Sequence, residues 1–132
     1  MKTALDSSVI LDVITGDERH ADSSEEAIRH AMAHGQILIG ETVLAEITPA
    51  FQGEAVESFL EDWNIVYCPS EKKAAIHAGK LFSNYLKRGG TKRRVVADFL
   101  VGSHALYHAD QLLARDRGYY RDYFKDLKVV TP

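Results

Sequence analysis

The chain predicts an α/β protein, a three-layer α/β/α sandwich with a central parallel sheet of four to five strands. Three observations carry that prediction. Short apolar runs recur along the chain as "TAL", "QILIG", "NIVYC", "QLLA" and "LKVV", and each reads as a short strand. Between them lie stretches with apolar residues at helical spacing, and strands alternating with helices imply parallel pairing through right-handed crossovers. The 132 residues carry no repeat, low-complexity tract or Pro/Ser-rich linker, so one domain over residues 1–132 is expected.

Taken in order, residues 3–5 form the first strand. "SSVILDVIT" (7–15) follows as a helix with Val9, Ile10, Val13 and Ile14 on its apolar positions and Gly16 as a stop. "DSSEEAIRHAMAHG" (22–35) opens on Asp and Ser, has acids in its first turn and ends in glycine, the signature of a capped helix. "QILIG" (36–40) is the second strand. "TVLAEITPAF" (42–51) is a helix with Thr42 as candidate N-cap and Pro49 bending or ending it. A helix over 54–63, a strand over 64–68 and a long helix over 70–88 come next, broken by Gly89-Gly90. The apolar helix 94–109, the strand 111–114, a short helical piece "GYYRDYF" and the strand 127–130 complete the chain.

Composition narrows the class. With 45% hydrophobic and 27% charged residues the chain is an ordinary globular sequence, long enough to bury about 65–70% of its unfolded surface. No apolar stretch approaches the ~18–20 residues of a membrane span, and the acid at position 6 interrupts any signal-peptide core. The single cysteine, Cys68, excludes an internal disulfide and fits a reducing cytoplasm. A net charge of −3 argues against a broadly basic nucleic-acid binder, yet Lys87, Arg88, Lys92, Arg93 and Arg94 crowd into "KRGGTKRR" (87–94). That run reads either as a guide for an RNA backbone or as a solvated loop around the two glycines.

Four acids fall where a parallel sheet would gather them. In such sheets, sites lie at the carboxyl ends of strands. Asp6 ends the first strand, Glu46 lies in the helix after the second, Asp98 interrupts the apolar "RVVADFLVGSHAL", and Asp116 follows the strand "QLLA". Each has a plain structural reading: Asp6 or Asp98 as a helix cap, Glu46 as a solvent-facing helix residue, Asp116 as a turn former before Gly118. Gly102 and Ala105, small residues on the Asp98 face of the helix, leave room around that carboxylate. If the four converge, they need a cation, because two carboxylates about 4 Å apart repel by about 4 kcal/mol at an effective dielectric of about 20. Oxygen-only ligands select hard cations, Mg²⁺ or Mn²⁺, whose bound water suits attack on a phosphodiester.

The blocks "ALDSSVILDV", "ETVLAEI", "RVVADFLVGSHA" and "LLARDRGYY", in this order, resemble the four signature blocks of PIN domains, and among them the small VapC-type toxins of toxin–antitoxin pairs. The resemblance covers nearly the whole chain. It implies a Mg²⁺- or Mn²⁺-dependent endoribonuclease, with Asp6, Glu46, Asp98 and Asp116 as catalytic acids. Asp6 and Asp98 would be the principal metal ligands, joined by Asp116. Cleavage would leave a 5′-phosphate and a 3′-hydroxyl. Ser8 stands where the family usually has Ser or Asn and would orient Asp6 or a water. An antitoxin partner and a homodimer are implied as well, and the apolar stripes of "EEAIRHAMAHG" and "GEAVESFLEDW" would serve them. Two departures from the pattern bear on a second metal: Ala114 replaces the usual Thr or Ser, and Arg117, Gly118 and Tyr119 stand where some members place another acid.

Three alternatives remain at this level: a PIN nuclease of RNA processing without an antitoxin, a PIN scaffold that binds without cutting, and a receiver-type signalling domain. The last lacks an aspartate after "NIVYC" and a lysine beyond the final strand. The pairs His30/His34 and His104/His108 have the spacing for zinc but no third ligand, so they read as exposed or hydrogen-bonded histidines. Tyr119, Tyr120, Tyr123 and Phe124 read as packing for a C-terminal element more than as base-stacking residues.

Overall fold

Five parallel strands form one sheet in the order β3-β2-β1-β4-β5 among the described residues of the computed structural model. The structure describes residues 1–53, 55–115 and 118–132. In chain order the elements are β1 (Lys2–Leu5), α1 (Ser7–Thr15), α2 (Ala21–Ala33), β2 (Gln36–Ile39), α3 (Glu41–Ile47), α4 (Ala55–Asp62), β3 (Ile65–Tyr67), α5 (Lys72–Lys87), α6 (Val96–His108), β4 (Gln111–Leu113), α7 (Tyr119–Tyr123) and β5 (Val129–Val130). Ala4 of β1 registers with Leu38 of β2 on one side and Leu112 of β4 on the other. The sequence expectation of a four- to five-stranded parallel sandwich holds.

The central strands are buried on both faces, which is why they read as unbroken apolar runs. Ala4, Leu5, Ile37, Leu38, Ile39, Leu112 and Leu113 are all in the core. Val66 and Tyr67 of β3 are exposed, as suits a strand at the sheet edge. One polar pair crosses the sheet: Gln111 Nε2 donates to Thr3 Oγ1 at 2.9 Å. α1 packs along α2, and α5 along α6.

Strand order disposes of the receiver reading. Receiver domains use 2-1-3-4-5, whereas this chain winds outward from β1 to β3 and then reverses to β4 and β5. The switch point therefore lies between β1 and β4, and Asp6 extends their ladder by donating its N–H to Leu113 O at 3.0 Å.

Helix ends depart from the sequence expectations in instructive ways. α1 closes as expected on Gly16, whose left-handed φ of 66° returns its N–H to Asp12 O. α3 begins at Glu41 with Gly40 as N-cap, so Thr42 is not the cap. Glu41 instead accepts the Ser70 N–H on its carboxylate. Pro49 sits in a 3₁₀ turn (Thr48–Ala50) that ends the helix, consistent with its missing N–H. α6 is preceded by a second 3₁₀ turn, Arg93–Val95, and has Val95 as its N-cap. Asp98 is thus in the first turn of α6 and does not cap it. The space left by Gly102 is filled by the Phe124 ring, which would stand 2.6 Å from an added Cβ, so it does not serve Asp98.

Candidate active site

Asp6 is built into the framework. It follows β1 with extended backbone angles and is 1% exposed. Its Oδ2 accepts the Ser8 hydroxyl at 2.5 Å and the Ser8 N–H at 3.3 Å, so Asp6 itself caps α1. Ser8 serves as donor to that cap. The other oxygen, Oδ1, accepts the Tyr120 hydroxyl at 3.2 Å, a contact that ties the strand tip to α7. A carboxylate offers about four lone-pair sites, so capping does not exhaust Asp6.

Glu46 and Asp98 line one cavity of about 400 Å³ together with Lys92, Arg94, Val95, Ala97 and Tyr119. Glu46 is exposed on α3, as its plain reading required, yet it faces this hollow across from α6. Asp98 is half-buried. Asp6 is set back from the lining and is linked to it through α7, where Tyr120 holds Asp6 and its neighbour Tyr119 forms a wall. Partial burial and then the nearby Tyr85 raise the Tyr119 hydroxyl's pKa; the Asp98 carboxylate adds to this and Arg94 opposes it. Arg93 is exposed in its turn and does not line the cavity. Asp116 lies outside the described residues.

Among the described residues, no cysteine or histidine lines the hollow. Carboxylate oxygens are donors that suit a hard divalent ion better than zinc.

A PIN-domain family model matches residues 3–125, over the same strands and helices that place these acids. The chain is a PIN domain. Sequence comparison with curated proteins finds no match. Among solved structures, a chain of VapBC2 from Rickettsia felis, bound to a promoter DNA fragment, superposes with a TM-score of 0.73 at 19% identity, covering 100% of this chain and 99% of that one. A chain of VapBC-1 from nontypeable Haemophilus influenzae gives 0.71 at 19%, covering 99% and 98%. A chain of FitAcB from Neisseria gonorrhoeae gives 0.64 at 15%, covering 96% and 95%.

Residues beyond the four acids also shape this PIN domain. Tyr120 was expected to pack, and it does, at 1% exposure, but its hydroxyl also reaches Asp6. Asp12, read only as part of α1, is 3% exposed and pairs with Arg115 Nη2 at 3.0 Å. The buried Ser24 donates to Asp12 Oδ2 at 2.7 Å. A carboxylate on the inner face of an otherwise apolar helix was the available signal.

Asp12, Asp17 and His20 bring ligand atoms within 4.8 Å of one another, a second cluster that can be weighed for a metal. The Arg115 guanidinium already supplies positive charge there, lying 3.3 Å from His20 Nδ1 through Nη1. The Asp17 carboxylate is held below its usual pKa, chiefly by the Arg19 N–H and further by His20. The candidate zinc pairs are engaged in hydrogen bonds: His104 Nε2 with Cys68 O at 2.6 Å, His108 Nε2 with the Glu71 N–H, and His34 Nδ1 with His30 O. Burial lowers the pKa of His104, so it sits neutral and donates to Cys68 O.

Proposed function

We propose that this PIN domain, one domain over residues 1–132, is a divalent-metal-dependent endoribonuclease and the toxin of a toxin–antitoxin pair. The observation that carries the reading is the pairing of Glu46 and Asp98 with Lys92 and Arg94 around one hollow, whose wall residue Tyr119 adjoins the Tyr120 that holds the buried Asp6 at the sheet's switch point. Asp6 and Asp98 would hold Mg²⁺ or Mn²⁺, and the family resemblance adds Asp116 as a further ligand. When bound, the ion supplies charge neutralisation and water activation at an RNA phosphodiester. Glu46 orients and deprotonates the attacking water. Lys92 and Arg94 take the flanking phosphates; these contacts position RNA without reading its sequence. Ser8 and Tyr120 hold the Asp6 carboxylate in place, so its orientation is fixed before substrate arrives.

The toxin reading draws on the likeness to VapBC and FitAcB chains over nearly their whole length. An antitoxin and a second copy of the chain are the partners this implies, acting in the cytoplasm. No helix among the described residues is long and apolar enough to cross a membrane. The half-buried aromatics Phe51, Phe59 and Trp63 pack in a row beside α2, with the Arg29 guanidinium 4.9 Å above Trp63. They give an amphipathic antitoxin segment a surface to cover.

The test is cleavage of a mixed RNA pool with Mg²⁺, Mn²⁺ or EDTA, comparing wild type with Asp98→Asn. The expected result is cleavage by wild type in either metal, none in EDTA, and none by a folded Asp98→Asn protein. Full activity in Asp98→Asn overturns the assignment. Growth arrest on expression, relieved by a protein encoded next to this one, separates a toxin from a processing nuclease.

A further inference from the structure

We infer that Arg115 is a positioning residue whose ion pair with Asp12 sets where the chain leaving β4 stands relative to Asp6. The inference rests on the nuclease reading above. Ser8 and Asp12 are four residues apart and share one face of α1. Arg115 lies along that face. Its backbone N–H points to Ser8 Oγ at 3.5 Å, and its Nη2 meets Asp12 Oδ1 at 3.0 Å one turn further on. Ser8 is also the donor to Asp6, so one hydroxyl touches both the β1 tip and Arg115, two residues beyond β4. The residue after Arg115 is Asp116.

The Asp12 end of this clamp is fixed from a second helix. Ser24 of α2 donates to Asp12 Oδ2, leaving Oδ1 for the guanidinium. The other arm, Nη1, reaches His20 at the start of α2. Arg115 therefore links α1 to the turn that enters α2, one guanidinium arm pointing to each, and the two helices pack against each other. Asp12 is buried while the Arg115 side chain is 39% exposed, so desolvating the carboxylate offsets much of the attraction and the pair adds little net stability. What it supplies is direction: Ser24 holds Oδ2 of the carboxylate and the guanidinium meets Oδ1 through Nη2. The structure thus spends a buried charge on the placement of one loop residue, immediately before an acid that the reaction needs.

The decisive experiment compares wild type with Asp12→Leu/Arg115→Met, which removes both charges and keeps apolar volume. Mn²⁺ affinity is measured by calorimetry without RNA, alongside thermal unfolding, RNA cleavage and RNA binding in EDTA. The expected result is a folded double variant with RNA binding in EDTA unchanged, Mn²⁺ affinity and cleavage each down about ten-fold or more. A double variant that holds Mn²⁺ and cleaves within about two-fold of wild type overturns the positioning role, since the pair would then be only structural. If the double variant does not fold, Arg115→Lys carries the test: it can pair with Asp12 but lacks the second arm toward His20. It is expected to lose metal affinity about ten-fold, and affinity within about two-fold of wild type overturns the inference. Wild type that neither binds Mn²⁺ nor cleaves RNA overturns the nuclease reading and this inference together. Wild type that does both, matched by the variants, overturns the inference alone.

Discussion

Ser8→Ala isolates the contact that fixes the strand tip. The Ser8 hydroxyl donates to Asp6 Oδ2 at 2.5 Å, with both residues buried, so its loss leaves a carboxylate oxygen short of its best donor. A hydrogen bond to a charged group contributes about 1.5–3 kcal/mol. The Ser8 N–H remains on the same oxygen at 3.3 Å, and Tyr120 remains on the other, so the lower part of that range applies: about 1.5–2 kcal/mol. At about 2.1 cal/mol/K of unfolding entropy per residue, a chain of this length loses about 3–4 °C in Tm per kcal/mol, hence about 5–8 °C here. Calorimetric or circular-dichroism melts at neutral pH measure it directly, with Asp6→Asn as the companion variant that keeps the cap and drops the charge. Mg²⁺-dependent cleavage should fall as well, because Asp6 gains freedom to rotate. A Ser8→Ala protein melting within about 1 °C of wild type would refute the claim that this short contact holds Asp6 in place.

The remaining expectations concern RNA, packing and pH. Lys92→Ala with Arg94→Ala should weaken RNA binding and flatten its log–log salt dependence by about 1.4, from about 0.7 per lost phosphate contact; adding Arg93→Ala should change little, and an unchanged slope would return the run to a solvated turn. Gly102→Ala should destabilise by about 1–3 kcal/mol in denaturant melts, because its Cβ would meet the Phe124 ring at 2.6 Å, and Phe124→Leu should recover part of the loss. Burial holds the His104 pKa below its usual value of 6.5, so the unfolded chain takes up the proton first as pH falls. The stability is therefore fully present above pH 6.5 and is lost as pH drops from there through the folded-state pKa; in urea titrations His104→Gln should flatten that decline, and an identical slope would sink the assignment.

Asp6 and Asp98 show how far the sequence carries the site. Their oddness was legible because local rules disfavour them: one carboxylate follows a buried strand, and the other interrupts an apolar helix. The choice between cap and ligand was not legible. Capping depends on where a helix begins, and α6 begins after a 3₁₀ turn that hydrophobic periodicity does not mark. The Asp12–Arg115 pair was hidden for a different reason. Its partners are 103 positions apart, and an aspartate on α1 looks the same in sequence whether it meets water or a guanidinium.

By itself the sequence determined the α/β/α class, the parallel sheet and the acids that family resemblance assigns to the site. Those features follow from periodicity, turn residues and residue type, all properties of neighbours along the chain. Tertiary structure alone decided the strand order that excludes a receiver domain, the joining of Glu46 and Asp98 around one cavity beside Lys92 and Arg94, and the bonds from Ser8 and Tyr120 that immobilise Asp6. Each of these depends on which strand lies beside which and how far apart two side chains stand, and local preference does not encode distance between remote residues.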